Sequence, residues 1–313
     1  MNRILEFPNN SNQGRGSWPA SVLQALAIAA LVAMCPTPAF AENDMASGCE
    51  TQVTSSAMSS EVIKVLSLNI SHGRNTALNQ LFVDKERVYQ NLNKIALLLN
   101  RVEPDVAALQ EADAASRWSG NFDHVTYLAQ QSGLPCRVHG LHSKKWISNY
   151  GTALLSRSRP AESESVQFSP SWPSKQKGFV TATLEWPAGP QTQSITFVSV
   201  HFDFLRASVR DQQVNELVDY LSRVEGPLIL MGDLNSEWGD DASHVRTLAD
   251  ELSLHAFSPE DEALGTYKSR SGKRFDWVLV SHELEFRDYK VLPDVVADHF
   301  AVYAEITYRK QQE

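Results

Sequence analysis

Short apolar runs separated by amphipathic stretches organise the chain from residue 62 onward. The most apolar run, at 228–231, predicts a buried strand that breaks at Gly232 and is followed by Asp233 and Asn235. Alternate residues of an extended segment point the same way, so these two side chains are expected on one face. A simple turn is the alternative, because Gly, Asp and Asn favour turns. Other strands are predicted at 62–68, 105–109, 152–155, 179–186, 195–200, 275–280 and 300–307, with a short one beginning at 265–267.

Helical spacing of apolar residues occurs between several of these strands. In 85–101 the residues Val88, Leu92 and Ile95 fall on one helical face, and Pro104 stops the helix. Further helices are predicted at 125–131, 206–224 and 242–252, and loops at 112–124 and 158–178. The strands at 179–186 and 195–200 predict an antiparallel hairpin. Helices between strands, with at least one hairpin, predict a mixed-sheet architecture.

The first 41 residues have the pattern of a secretory signal peptide. Arg3 and Arg15 precede an apolar run at 22–34, and Ala39-Phe40-Ala41 is a small-x-small cleavage pattern. An uncleaved anchor is the alternative, but the run is short for a bilayer span. We expect export to the periplasm or the medium, no integral membrane span after cleavage, and a flexible leader at 42–60.

Charge and cysteine content refine this expectation. With 28 Lys and Arg against 37 Asp and Glu, the net charge is −9, which is not the broad basic footprint of a duplex-binding protein. Cys49 and Cys136 remain after cleavage, and their spacing fits no zinc motif. An oxidising compartment permits a disulfide between them; two unpaired buried thiols are the alternative.

Polar residues stand at the ends of the predicted strands. If the two strands that begin with such residues run antiparallel to the four that end with them, all of these side chains meet at one edge of the sheets. The residues are Asn69, Glu111, His201, Asp233 and Asn235 at strand ends, and Asp276, Asp298 and His299 at strand starts.

This set consists mainly of oxygen ligands together with two histidines. Such oxygens suit Mg²⁺, or alternatively Mn²⁺, and the histidines suit an anion as hydrogen-bond partner. The sequence has no G-x-S-x-G elbow, no H-E-x-x-H zinc motif and no glycine-rich nucleotide loop. The set therefore predicts metal-assisted attack of water on phosphorus.

The same residues lie in an ordered series of short motifs. These are Asn69-Ile70, Leu109-Gln110-Glu111, the run at 151–157, Val200-His201, Gly232-Asp233-Leu234-Asn235, Phe275-Asp276-Trp277-Val278 and Ala297-Asp298-His299-Phe300. In this order they resemble the motifs of the endonuclease/exonuclease/phosphatase superfamily, and most of all its small bacterial hydrolases. The resemblance implies one α+β domain at 61–309. Its fold would be a four-layer α-β-β-α sandwich of two mixed, largely antiparallel sheets. It also implies divalent-metal phosphoester hydrolysis at one sheet edge.

Chemistry and resemblance assign the same roles. Glu111 is the expected primary metal ligand, with Asn69 beside it and Asp298 contributing. Asp233 is expected to orient or deprotonate the attacking water, and Asn235 to donate a hydrogen bond to a phosphoryl oxygen.

The two histidines complete the predicted catalytic set. His201 is expected to donate to a phosphoryl oxygen, and His299 to be a second donor or the base. The carboxylate partner of His299 is expected to be Asp276 rather than Asp298, because neighbours on an extended strand point apart. That partner would keep the imidazole oriented and protonated.

Four further residues are predicted to bind substrate. His72 and Asp203 lie beside the motifs, Arg117 lies in a further matching segment, and Arg274 lies on a basic turn before Asp276. Loop hydrogen bonding and a solvated hairpin tip are the alternatives.

These observations favour an exported, monomeric, Mg²⁺-dependent phosphoester hydrolase. Its expected partner is a small phosphodiester or phosphomonoester, or a lipid head group, rather than nucleic acid. A secreted nuclease is one alternative and predicts cleavage that falls steeply with salt. A non-catalytic binding module is the other, and predicts that Glu111→Gln leaves function intact.

Overall fold

Two stacked β-sheets with helices on their outer faces make up the described part of the chain. The computed structural model describes residues 45–50, 60–77, 80, 83–145, 147–188, 191–268 and 272–309. The predicted signal peptide at 1–41 lies outside these residues. No helix among the described residues is both long and apolar enough to cross a membrane.

The first sheet has seven strands, and β2 and β3 are its parallel pair. Across the sheet the order is β1 (Met45–Cys49), β4 (Cys136–Lys145), β5 (Ser148–Ser156), β3 (Val106–Asp113), β2 (Ile63–Asn69), β13 (Val302–Tyr308) and β12 (Leu284–Val291). Strands β1 to β5 form most of this sheet, and β12 and β13, which follow the strands of the second sheet in sequence, complete it.

The second sheet has six strands, and β8 and β9 are its parallel pair. Across the sheet the order is β10 (Leu254–Ala256), β11 (Asp276–Ser281), β9 (Leu228–Asp233), β8 (Gln191–His201), β7 (Gly178–Ala188) and β6 (Glu162–Gln167). The predicted hairpin is confirmed as the antiparallel pair β7 and β8.

Four helices cover the outer faces of the sheets. They are α1 (Lys85–Val102), α2 (His124–Gln131), α3 (Ala207–Leu221) and α4 (His244–Glu251). The side chains of Asp84, Asp123 and Ser243 accept backbone N–H bonds at the starts of α1, α2 and α4, which satisfies donors that a helix leaves open.

Three apolar clusters define the layers. One joins the facing sides of the two sheets, and the others join each sheet to its pair of helices. The predicted four-layer sandwich of one domain is therefore confirmed. Trp277 is fully buried in the cluster that joins the second sheet to α3 and α4. Burial of a side chain of this size contributes about 3 kcal/mol to the free energy of unfolding.

The structure corrects three local predictions. Within the predicted flexible leader, Met45–Cys49 is strand β1, and within the predicted loop at 158–178, Glu162–Gln167 is strand β6. Both are edge strands without a run or alternation of large apolar residues, since β1 has only Met45 and β6 only Val166, so hydrophobic pattern does not reveal them. Near 265–267 there is only an isolated bridge, between Tyr267 and His299.

A disulfide joins the first strand to the domain. Cys49 and Cys136 stand opposite each other in the β1–β4 ladder, and their sulfur atoms are 2.07 Å apart. The disulfide that the sequence left open is therefore present, and it explains how a short segment of mostly small side chains is held in place as an edge strand.

Replacing Cys49 with serine is expected to lower the free energy of unfolding by about 2–4 kcal/mol, because 87 residues separate the two cysteines and the unfolded chain regains that loop. Denaturant unfolding measures the change. Ser47→Ala on the same strand is the control, and an equal midpoint for Cys49→Ser and the parent protein would contradict the expectation.

Candidate active site

Strand ends from both sheets meet at one edge of the sandwich. They surround a cavity of about 520 Å³. Seven of the eight predicted strand-end residues line it: Asn69, Glu111, His201, Asp233, Asn235, Asp298 and His299. The eighth, Asp276, is fully buried behind His299. The prediction that these residues converge is confirmed.

A β-bulge directs Glu111 into the cavity. The β3–β5 register shifts between Gln110 and Ala112, so Glu111 is the extra residue, and its φ of +50° is left-handed. Burial alone would raise the pKa of Glu111, but His72 and Lys177 outweigh it and hold the pKa below its usual range. The cavity therefore contains an ionised carboxylate.

Asp233 lies at the centre of the site with donors on both carboxylate oxygens. The side-chain amide of Asn69 donates to Oδ2 at 3.0 Å, and the backbone N–H of Asn235 donates to Oδ1 at 3.1 Å. Nε2 of His201 and Nε2 of His299 lie 3.5 and 3.8 Å from Oδ2. Burial raises the pKa of Asp233 to about 7, which suits a group that accepts a proton from water.

The conformation of β9 explains how Asp233 and Asn235 reach the same cavity. The strand ends at Asp233, and Asn235 has a φ of +48°, so the predicted extended alternation does not continue. Gly232 is needed just before, since a Cβ there would lie 2.0 Å from the carbonyl oxygen of Val200. Asn235 also donates from Nδ2 to the backbone oxygen of Phe202 at 3.1 Å, which holds its amide in place.

His299 is held by Asp276, as the sequence predicts. Its Nδ1 lies 2.7 Å from Oδ2 of Asp276, which stands directly opposite Asp233 in the β11–β9 ladder. Burial alone would lower the pKa of His299, but Asp276 and Asp233 outweigh it and raise it to about 10. The imidazole is therefore a cationic donor at neutral pH.

Asp298 has partners for both of its oxygens. Oδ1 accepts a hydrogen bond from the hydroxyl of Ser71, and Oδ2 pairs with Arg74 at 2.7 Å. Arg74 also lines the cavity, and the sequence motifs gave no signal for it. Asp298 as a metal ligand stays a prediction, and any such role would share the carboxylate with these two residues.

Lys177 is a site residue that the sequence analysis missed. It is buried, and its Nζ lies 3.0 and 3.1 Å from Nδ1 and Nε2 of His201. Burial, followed by the charge of Lys177, lowers the pKa of His201 well below its usual value, so this imidazole is neutral. A signal was available in the predicted hairpin, whose register places Gly178 opposite His201.

Replacing Lys177 with methionine is expected to lower kcat/KM about 10- to 100-fold. The variant loses the contact of the ammonium group with His201 and its charge near Glu111, while methionine keeps the apolar stem of the side chain. Steady-state kinetics with a small phosphoester measures the loss, and the NMR shifts of the His201 ring report whether its position depends on Lys177. Lys94→Met on the exposed face of α1 is the matched control. Unchanged kinetics and unchanged ring shifts would contradict this role.

The four predicted substrate-binding residues do not line this cavity. Asp203 is fully buried and its Oδ1 accepts backbone N–H bonds from Leu205 and Arg206, so it stabilises the chain entering α3. Arg274 is buried against the ring of Trp277 at 3.9 Å. Both polar groups are thus engaged away from the cavity lining, and a role of either residue in substrate binding stays a prediction.

His72 and Arg117 also differ from the prediction. His72 lies behind Glu111, with Nε2 3.3 Å from Glu111 and Nδ1 2.8 Å from the buried Asp113. Burial alone would lower the pKa of His72, but Asp113 and Glu111 outweigh it and raise it. His72 therefore lies where it can orient Glu111, and it is not among the residues that line the cavity. Arg117 is exposed, and it is not among the residues that line the cavity.

The oxygen donors fit a hard divalent cation. Ionised Glu111 faces the cavity, and the amide oxygen of Asn69, which accepts from the backbone of Ser71 at 3.0 Å, lies at the same edge. One ligand atom each from Asp233, Asp276 and His299 also lie within 4.8 Å of one another. We favour Glu111 over this group as the metal site, because Nδ1 of His299 is engaged by Asp276 and a protonated imidazole does not bind a metal.

The fold and the site together define a hydrolytic centre for a charged ester. The chain belongs to the Endonuclease/Exonuclease/phosphatase family, whose model matches residues 66–299. Its class is accordingly phosphoester hydrolase, and enzymes of this family depend on divalent metal ions. No curated protein matches the chain significantly in sequence.

Solved structures share the fold at low sequence identity. An endonuclease/exonuclease/phosphatase from Beutenbergia cavernae superposes with a TM-score of 0.62 at 18% identity, covering 79% of this chain and 72% of its own. The human Nocturnin catalytic domain superposes with a TM-score of 0.57 at 17% identity, covering 85% of this chain and 98% of its own. A mannosyl-6-phosphatase from Bacteroides thetaiotaomicron superposes with a TM-score of 0.55 at 16% identity, covering 79% of this chain and 100% of its own.

Proposed function

We propose that this chain is an exported, Mg²⁺-dependent hydrolase of small phosphomonoesters or phosphodiesters. The observation that carries the proposal is the position of Asp233, which has Asn69 as donor on one oxygen and His201 and His299 on the same side. A water beside this carboxylate would face a phosphoryl group held by the two imidazoles. Mg²⁺ held by Glu111 and Asn69 would stabilise charge on the phosphoryl oxygens.

The reaction balances with the groups that line the cavity. The oxygen of water forms a bond to phosphorus and its proton passes to Asp233, while the P–O bond to the leaving group breaks with its electron pair on the departing oxygen. That alkoxide takes a proton from solvent water to become the alcohol, and Asp233 returns its proton to solvent. His299, protonated and fixed by Asp276, donates to a phosphoryl oxygen as negative charge develops there. His201 is neutral and donates a second hydrogen bond to the phosphoryl group, and Lys177 contacts the ring of His201.

A small substrate is favoured by the size and charge of the site. The cavity of about 520 Å³ is of the size that holds a small molecule, and Glu237 and Asp240 line it together with Arg210 and Lys273. A duplex would place many phosphates against a chain with a net charge of −9. The phosphatase named among the solved structures supports the same choice.

Export is supported by two independent features. The first is the signal-peptide pattern of residues 1–41, and the second is the disulfide between Cys49 and Cys136, a bond typical of oxidising compartments. N-terminal sequencing of the protein recovered from the periplasm and the medium tests this part. A mature protein that begins at Glu42 is the expected result, and an intact Met1 in a cytoplasmic fraction would contradict it.

The activity is tested with p-nitrophenyl phosphate, bis(p-nitrophenyl) phosphate and plasmid DNA, each with Mg²⁺ and with EDTA. We expect turnover of a p-nitrophenyl ester that requires the metal. Preferential cleavage of DNA, falling steeply as salt rises, would replace the proposal with a nuclease. Turnover that persists in EDTA would overturn the metal requirement.

A further inference from the structure

Large hydrophobic side chains are exposed on two loops beside the cavity. Trp172 is 86% exposed, Phe204 61% and Leu205 57%. We call these three residues the hydrophobic rim. They are three of only six exposed large hydrophobic residues in the described ranges, and Trp172 is the most exposed of them. Clustering of such residues indicates an interaction surface, whereas scattered ones need no explanation.

The two loops of the rim are joined at their bases. Arg206, which follows Leu205, donates to the backbone oxygen of Ser171 and to Oγ of Ser174, on either side of Trp172. Beneath them the rings of Phe168 and Phe202 are 5.7 Å apart. The exposed side chains therefore rest on a packed support and belong to one surface.

This surface is continuous with the active site. Phe204 lines the same cavity as Asp233 and His299. A phosphoester whose head group occupies the cavity would therefore place part of its alcohol moiety next to Phe204 and the rest of the rim.

Cationic residues flank the rim on the side of the β4–β5 turn. Lys175, on the Trp172 loop, is half-buried, donates to Oγ of Ser148 at 3.3 Å and lies over the ring of Trp118 at 4.6 Å. Ile147, the residue before Ser148, is 37% exposed. Lys144 and Lys145 at the end of β4 are also exposed. In an acidic chain this local combination of aromatic, aliphatic and basic residues is the one that suits an anionic lipid surface.

We propose that the hydrophobic rim and its flanking lysines dock the enzyme on an anionic phospholipid bilayer, so that its substrates are phosphoester amphiphiles. The substrate class rests on the proposed hydrolytic function, whereas the docking does not. A bilayer is favoured over a protein partner because an exposed Trp beside Lys residues is the arrangement that membrane interfaces favour.

The docking is tested by sedimentation with vesicles of equal parts phosphatidylglycerol and phosphatidylcholine, and with vesicles of phosphatidylcholine alone, all in EDTA. We expect binding to the anionic vesicles that falls at least about 10-fold in the triple variant Trp172→Ser, Phe204→Ser, Leu205→Ser. Leu97→Ser on α1, where Leu97 is 69% exposed, is the matched control and is expected to bind like the parent protein.

A single variant reports on contact directly. Addition of anionic vesicles is expected to shift tryptophan emission to the blue, and the shift should shrink in Trp172→Phe while binding persists. Absence of binding by the parent protein, equal binding by the triple variant, or equal binding to both vesicle types would overturn the proposal. So would loss of binding in Leu97→Ser.

Hydrolysis of bis(p-nitrophenyl) phosphate separates the two proposals. Turnover of this soluble ester without vesicle binding overturns the docking alone. Vesicle binding without turnover of any phosphoester overturns the proposed function and leaves the docking intact.

Discussion

Replacing Asp233 with asparagine is expected to lower kcat about 10³-fold with little change in KM, because the amide keeps the shape of the side chain but takes no proton from water. The expected loss follows from the contacts of this carboxylate. Asn69 and Asn235 each donate to one of its oxygens and fix its orientation. Steady-state kinetics with a p-nitrophenyl ester at saturating Mg²⁺ measures the effect.

The control for this variant is Asp219→Asn on the exposed face of α3, which removes one carboxylate of the same type far from the cavity lining. We expect its kinetics to match the parent protein. If Asp233→Asn kept more than a tenth of the parent kcat, Asp233 would not be the group that receives the proton.

Replacing Glu111 with glutamine is expected to weaken Mg²⁺ binding about 100-fold, because it removes the ionised carboxylate that we assign as the primary metal ligand. His72 would keep a hydrogen-bond partner in the variant, so the local structure should persist. Isothermal titration calorimetry with Mg²⁺ alone measures the affinity. Activity at low Mg²⁺ should fall in proportion and recover partly at high Mg²⁺.

Glu237→Gln is the matched variant, since Glu237 lines the same cavity but is paired with Lys273. A smaller loss of Mg²⁺ affinity is expected there, because Glu111 and not Glu237 is the carboxylate that we assign to the metal. Equal losses in the two variants would place the metal elsewhere in the cavity. Unchanged function in Glu111→Gln would support the non-catalytic binding module.

The convergence of the site was predictable because strand ends follow from hydrophobic pattern. Apolar runs that stop at Asn69 or Asp233 indicate where a buried strand reaches the edge of a sheet. The pairing of His299 with Asp276 also followed from alternation along an extended chain, and the structure bears it out.

Other features depend on contacts that no local pattern encodes. The bulge that turns Glu111 into the cavity arises from the β3–β5 register. The carboxylate of Asp203 accepts a backbone N–H bond from Arg206 at the start of α3. Lys177 was missed because a single lysine in a predicted loop has no periodic signal, and only the register of the β7–β8 hairpin, which pairs the neighbouring Gly178 with His201, indicates its position. Strand β12 was missed because it is an edge strand whose polar residues face solvent on one side.

The order of the strands along the chain sets when the enzyme becomes active. Asn69 and Glu111 come from the first sheet, Asp233 from the second, and His299 lies between β12 and β13, which close the first sheet. Strand β13 pairs directly with β2, so a late segment of the chain completes the arrangement begun by an early one. A chain that is still being synthesised therefore has no assembled catalytic centre until β13 is in place. Hydrolysis is thereby confined to the finished molecule.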